Sequence, residues 1–120
     1  MGLSVIVLVL LVGGAGGAEV PATCSPLGAS PRDPFLHFTA WEDRDRVIRG
    51  LLKNTHPFET ARAAAIRLTF SLNSAGGGFQ GSYCIVLGDI APGDEVPFRF
   101  VRPPDVATVP HVKQNPRALW

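Results

Sequence analysis

The stretch "VIRGLLKNTHPFETARAAAIRLTFSL", Val47 to Leu72, decides the fold, because it can be read with either of two periods. Val47, Ile48, Leu51 and Leu52 satisfy the i, i+3, i+4 spacing of an amphipathic helix. The alanines after Pro57 would allow a second helix, giving a helical hairpin. Two features oppose that reading. Gly50 falls inside the first segment, where a helix would lose about 1 kcal/mol, and Ile66, Leu68, Phe70 and Leu72 alternate with Arg67, Thr69 and Ser71. Period-two alternation predicts strands, with Ile48, Gly50, Leu52 and Asn54 on one side of the first.

The rest of the chain reads in the same way. "FLHFTAW" (Phe35 to Trp41) places Phe35, His37, Thr39 and Trp41 opposite Leu36, Phe38 and Ala40, and "EDRDR" follows as a charged turn. After the glycine-rich "NSAGGG" loop, Tyr83, Ile85 and Leu87 alternate with Cys84 and Val86. Pro92-Gly93 fits the central positions of a type II turn, since proline presets a negative φ and glycine accepts a positive one. Val96, Phe98 and Phe100 then alternate inward. Pro97 has no N–H to give to a neighbour, which suits an edge strand. A short strand at Val106 to Val109 is expected to cover that edge, with a tail docking through Trp120. The chain holds 11 prolines and 13 glycines, which favour short strands joined by turns over a bundle. The expected class is an all-β sandwich of about six strands. Its expected core includes Ile48, Leu52, Ile66, Leu68, Phe70, Ile85, Phe98 and Phe100.

The N-terminus supplies the functional signal. "MGLSVIVLVLLVGGAGGA" carries no charged residue and runs apolar from Val5 to Val12. Gly16 and Ala18 suit the −3 and −1 positions of a signal-peptidase site before Glu19. An uncleaved anchor would need roughly 20 apolar residues, and the glycines from Gly13 onward weaken that alternative. The expected organisation is therefore a signal helix over residues 1–18, an extended Pro/Ser/Ala-rich arm over 19–34 and one β domain over 35–120. The expected location is extracytoplasmic, periplasmic or secreted. Contact with a membrane is expected only through an uncleaved signal segment.

Composition excludes several functions. A formal net charge of +1 with 18% charged residues gives no basic excess of the kind that nucleic acid requires. His37, His56 and His111 are isolated, with no H-x-H or H-E-x-x-H spacing. No G-x-S-x-G elbow marks a nucleophile, and "SAGGGF" lacks both the strand-to-helix setting and the Lys of a phosphate loop. No catalytic, cofactor or metal site is expected. The cysteines Cys24 and Cys84 are the only two in the chain. Export would put them in an oxidising compartment, where one bridge could staple the arm to the domain. The alternative is a buried thiol at Cys84 and a solvent-facing one at Cys24.

Between Ile48 and Phe100 the chain resembles the FxLYD domain, a small immunoglobulin-like β-sandwich of exported prokaryotic proteins. An apolar-x-Gly-x-apolar-x-Asn pattern falls on Ile48, Gly50, Leu52 and Asn54. An Asp-Leu-x-Pro-Gly-x-x-x-x-Phe ending falls on Asp89, Ile90, Pro92, Gly93 and Phe98. Phe70 and Leu72 hold their places in the motif that names the family, with Asn73 and Ser74 where it has Tyr and Asp. The resemblance implies an immunoglobulin-like fold and an extracytoplasmic setting, and it supplies no catalytic residue. The sequence thus points to a non-enzymatic binding or structural module of the cell envelope, with an unnamed protein or envelope partner. The competing reading is an accessory domain or fragment of a larger exported hydrolase.

Overall fold

The computed structural model describes residues 28–120. The expected signal segment, most of the arm and Cys24 lie outside the described residues. Six strands follow in order: β1 (Leu36–Arg44), β2 (Val47–Asn54), β3 (Ala61–Ser71), β4 (Phe79–Ile90), β5 (Glu95–Val101) and β6 (His111–Leu119). They form two antiparallel three-stranded sheets, ordered β1-β2-β5 and β4-β3-β6, an arrangement compatible with a β-sandwich. Short 3-10 turns at Asp33–Phe35 and Pro104–Val106 precede β1 and β6. Among the described residues no helix is long and apolar enough to cross a membrane.

Alternation builds the core as the apolar pattern predicts. Ile48 and Leu52 from β2, Ile66, Leu68 and Phe70 from β3, Ile85 from β4, and Phe98 and Phe100 from β5 are all buried in one cluster. Phe70 stacks on Phe100 at 6.2 Å between ring centroids, and Tyr83 meets the same ring at 5.5 Å, so aromatic contacts bridge the sheets. The helical hairpin is excluded: Val47–Asn54 and Ala61–Ser71 are both strands.

Four expectations are corrected. The face assignment of β1 fails because a bulge between Phe38 and Ala40 inserts Thr39. One extra residue reverses which side the following residues face. Leu36 and Phe38 therefore pack inward before the bulge and Trp41 after it. The charged turn is shorter than "EDRDR": β1 continues to Arg44, and Asp45 and Arg46 alone make the reversal, with φ of 56° and 63°. Two consecutive positive φ values match the type I′ hairpin that suits strand twist. Leu72 does not continue the inward row of β3, since the strand ends at Ser71 and Leu72 is exposed in the turn.

The largest correction concerns the C-terminal segment. Val106 and Val109 are buried, but in and after a 3-10 turn, and the strand forms downstream at His111–Leu119. That strand pairs with β3, with Leu68 opposite Gln114 and Phe70 opposite Val112, and does not cover β5. Pro104 fixes a turn-compatible φ at the start of the 3-10 segment, which carries the chain to the opposite sheet. Trp120 docks as expected: its indole Nε1 donates to the buried Asp33 carboxylate at 3.1 Å. Asp33 also accepts from the Ser30 amide at 2.7 Å, so residues 30–34 of the expected arm lie fixed against the domain.

Candidate functional site

Of the motif residues singled out from sequence, Asn54, Asp89, Pro92 and Gly93 gather at one end of the molecule, Gly50 and Phe98 pair mid-strand, and all serve the fold. Asn54 ends β2 fully buried. Its Nδ2 donates to the carbonyls of Glu59 at 2.8 Å and Ile90 at 2.9 Å, and its Oδ1 accepts from the His56 amide at 2.9 Å. The Gly93 amide donates to the Asn54 carbonyl at 2.7 Å. Asp94 closes the Pro92-Gly93 turn by donating to Ala91 at 3.0 Å, with Gly93 at φ 81°. Asp89 Oδ1 accepts from the Ala63 amide at 2.8 Å, securing a β3 bulge where Ala63 takes φ 49°. Gly50 lies opposite Phe98, and a Cβ there would sit 2.8 Å from the Phe98 ring. The side-chain hydrogen bonds of Asn54 and Asp89 all go to backbone groups, which is the work of a scaffold.

The three histidines stay on separate elements. His37 and His111 are exposed on β1 and β6. His56 is buried among Phe35 at 4.5 Å, Phe58 at 4.7 Å and Trp120 at 5.9 Å between centroids. The amides of Phe58 and Glu59 both donate to its Nδ1, at 3.2 and 3.0 Å, which assigns the ring proton to Nε2. That nitrogen lies 3.1 Å from Glu59 Oε1, and the same oxygen meets Arg32 Nε at 2.6 Å. Among the described residues no three His, Cys, Asp or Glu side chains converge as metal ligands. Cys84 sits on the β4 face opposite Tyr83 and Ile85, buried although that face points away from the core cluster. Its expected partner, Cys24, lies outside the described residues.

At the far end Arg102, buried, donates through Nη1 to the carbonyls of Val106 at 3.0 Å and Val109 at 2.8 Å. Its Nη2 pairs with Asp43, and its guanidinium lies 5.1 Å from the Phe70 ring centroid. A buried arginine saturated in this way fixes the loop before β6. Arg102 was not legible in advance, because its acceptors are carbonyls of a loop that the alternation presents as a strand.

The surface best suited to recognition is the outer face of the β1-β2-β5 sheet. Pairing lines up Ala40, Leu51 and Pro97 across the three strands, and beside them Glu42, Arg49 and Arg99. The small Ala40 and the short Pro97 ring flank half-buried Leu51, while the longer charged chains rise beside them. A shallow apolar depression of about 610 Å³ results. Glu42 sits 3.6 Å from Arg49 and 3.4 Å from Arg44, both exposed pairs of little energetic weight. On the other side Thr39 donates across β2 to Glu95. An apolar floor with a charged rim has the composition of a surface that recognises a partner by apolar burial. Its residues were legible only as the polar half of the alternation, since Arg49 and Leu51 are the positions between Ile48, Gly50 and Leu52. No protein-family model, curated protein or solved structure matches the chain.

Proposed function

We propose that the chain is an exported, non-enzymatic binding module of the cell envelope, an immunoglobulin-like sandwich of the FxLYD kind that meets a protein partner through its β1-β2-β5 face. The observation that carries this reading is the row Ala40–Leu51–Pro97, an apolar strip with the charged Glu42–Arg49–Arg99 row beside it. An apolar centre with a polar rim is the composition of a recognition patch. The motif residues Gly50, Asn54, Asp89, Pro92, Gly93 and Phe98 serve as scaffold in this reading. Export is inferred from the Val5–Val12 run and the small residues before Glu19.

The test is a photo-crosslinking residue placed at position 51 of the full chain in its native cells. Discrete adducts with envelope proteins are expected, and the same residue at Arg67, on the opposite sheet, should not give them. Equal adducts from both positions, or none from position 51, would reject the face. Recovery of the chain in the cytoplasmic fraction with Met1 intact would reject export.

A further inference from the structure

We propose that a cleft on the opposite sheet binds a small tetrahedral oxyanion, the phosphate or sulfate group of an ester. The cleft, about 510 Å³, lies on the outer face of β3 and β6 beneath the β3–β4 loop, between Thr69, Ser71, Ser74, Gly76, His111 and Lys113. The loop curls over the sheet far enough to bury Ser71 on a solvent-facing side, and this makes the site a walled cleft.

Charge points to the ligand. Neither β3 nor β6 contains an aspartate or glutamate, and the two strands carry the cations Arg62, Arg67, Lys113 and Arg117. Two are engaged by the protein itself. Arg117 lies 3.4 Å from Asp33, and Arg62 donates to the Trp120 carbonyl at 3.1 Å. Arg67 and Lys113 have no ion-pair partner among the described residues. Pairing places Lys113 opposite Thr69 and Arg67 opposite Asn115. The two cations are therefore diagonal neighbours about 7 Å apart on one face, where their mutual repulsion would be relieved by an anion.

Neutral polar groups line the same cleft. His111 pairs opposite Ser71 at the mouth of the cleft. The hydroxyls of Thr69 and Ser74 have no hydrogen-bond partner among the described residues, one on the sheet and one on the loop. The loop does not act as a phosphate cradle, because the amides of Ala75 and Gly77 donate to Asn73 Oδ1 and that of Gly76 to the Asn73 carbonyl. Recognition falls to an ammonium, an imidazole and two hydroxyls carried by two strands and the loop, a three-dimensional set that suits a tetrahedral oxyanion better than a planar carboxylate. The loop wall limits the ligand to a small or terminal ester group.

The test is a proton–nitrogen NMR titration of the whole mature chain with inorganic phosphate and with sulfate, against sodium chloride at matched ionic strength. Saturable shifts are expected at Thr69, Ser74, Gly76, His111 and Lys113. Lys113→Gln should weaken them about tenfold, while Arg49→Gln on the other sheet should leave them unchanged. Shifts that chloride reproduces, or that Lys113→Gln leaves intact, would overturn the proposal. Glycerol phosphate and phosphatidylglycerol vesicles distinguish the sources. Binding of the soluble ester alone assigns the site to a soluble or polymer ester, and vesicle binding lost in Lys113→Gln assigns it to a lipid headgroup. Vesicle binding that survives Lys113→Gln, without soluble-ester binding, would overturn it.

Discussion

The side-chain amide of Asn54 donates to the carbonyl of Ile90 at 2.9 Å across 36 positions of sequence, tying the end of one sheet to the end of the other. Asn54→Ala leaves the Ile90 and Glu59 carbonyls and the His56 amide without their partner in a buried site. A loss of about 3 kcal/mol or more is expected from the desolvation of those groups. Asn54→Asp should fare no better, since a carboxylate cannot donate to the two carbonyls. Urea unfolding of the three proteins measures this, and wild-type midpoints for both variants would remove Asn54 from the scaffold.

Gly50 and Gly93 are required for different reasons, and one pair of substitutions separates them. Gly50 has no room, because an added Cβ would collide with the Ala40 carbonyl and lie 2.8 Å from the Phe98 ring. Gly93 has open space around it but holds φ at 81°. Gly93→Val should cost more than about 1 kcal/mol, because a β-branched residue is strained at positive φ. Gly93→Asn should be nearly neutral, since asparagine tolerates the left-handed region. Gly50→Asn and Gly50→Ala should both destabilise by about 2 kcal/mol through overpacking. Melting curves that rank the two asparagine variants the other way would reverse the assignments.

These positions show what could be read in advance. Apolar alternation made the strands and the core from Ile48 to Phe100 legible, because a half-buried strand must alternate whatever its neighbours are. The Pro92-Gly93 turn was legible because its backbone demands those residue types. The bulge at Thr39 was not, since an inserted residue leaves no mark in composition and only inverts the faces after it. The pairing of β6 with β3 was hidden for another reason: "HVKQNPRAL" alternates weakly, its inward row holding Val112 and the small Ala118 at its two ends with Gln114 and Pro116 between them. Its order comes from β3 and from the anchor between Asp33 and Trp120. Both proposed recognition surfaces were invisible as sites, because each is assembled across strands from residues that look like ordinary solvent-facing positions.

Tyr83, the single tyrosine of the chain, reports on the loop before β6. Its hydroxyl donates to both oxygens of Asp105, at 2.8 and 3.0 Å. Partial burial, then the hydrogen bond and charge of Asp105, raise its pKa above the ordinary 10.0. The folded chain thus holds this proton more tightly than the unfolded chain. The corresponding stability is complete below pH 10 and is lost as pH climbs through the raised value. Asp105→Asn should move the phenolate absorbance titration back towards 10.0, and Tyr83→Phe should cost about 1 kcal/mol at neutral pH while flattening the alkaline decline. A titration that Asp105→Asn leaves unmoved would show that the carboxylate is not the cause.

The buried position of Cys84 on a face turned away from the core cluster favours the bridge to Cys24. Intact mass of the chain isolated from its native cells under non-reducing conditions should be two hydrogens below the reduced mass. Closing a loop of about 60 residues is worth about 4 kcal/mol in the chain-entropy account, so reduction should lower the denaturation midpoint markedly. Alkylation of both thiols in the unreduced, unfolded protein would refute the bridge.

Pro97 guards the one stretch whose role the C-terminal strand does not decide. The Asn54 amide donates to the Asp94 carbonyl at 3.0 Å and the Arg102 amide to the Arg46 carbonyl at 2.9 Å, so the ladder is bonded at the even-numbered residues that flank β5 on either side. Antiparallel pairing alternates, so 96, 98 and 100 face β2, and the backbone nitrogens of 95, 97, 99 and 101 face the open edge. Proline at 97 removes the central donor from that edge, a known protection against strand addition. Pro97→Val restores the donor and raises strand propensity without touching the β2 ladder. The variant should keep its melting temperature yet shift, with rising concentration, to dimers or larger species by light scattering. Deleting Asp105 to Trp120 would not test this edge, because it strips β6 from β3 and removes the Asp33–Trp120 anchor, and it should unfold the domain. A Pro97→Val protein that matches the wild type in size at every concentration would show that another feature closes the edge.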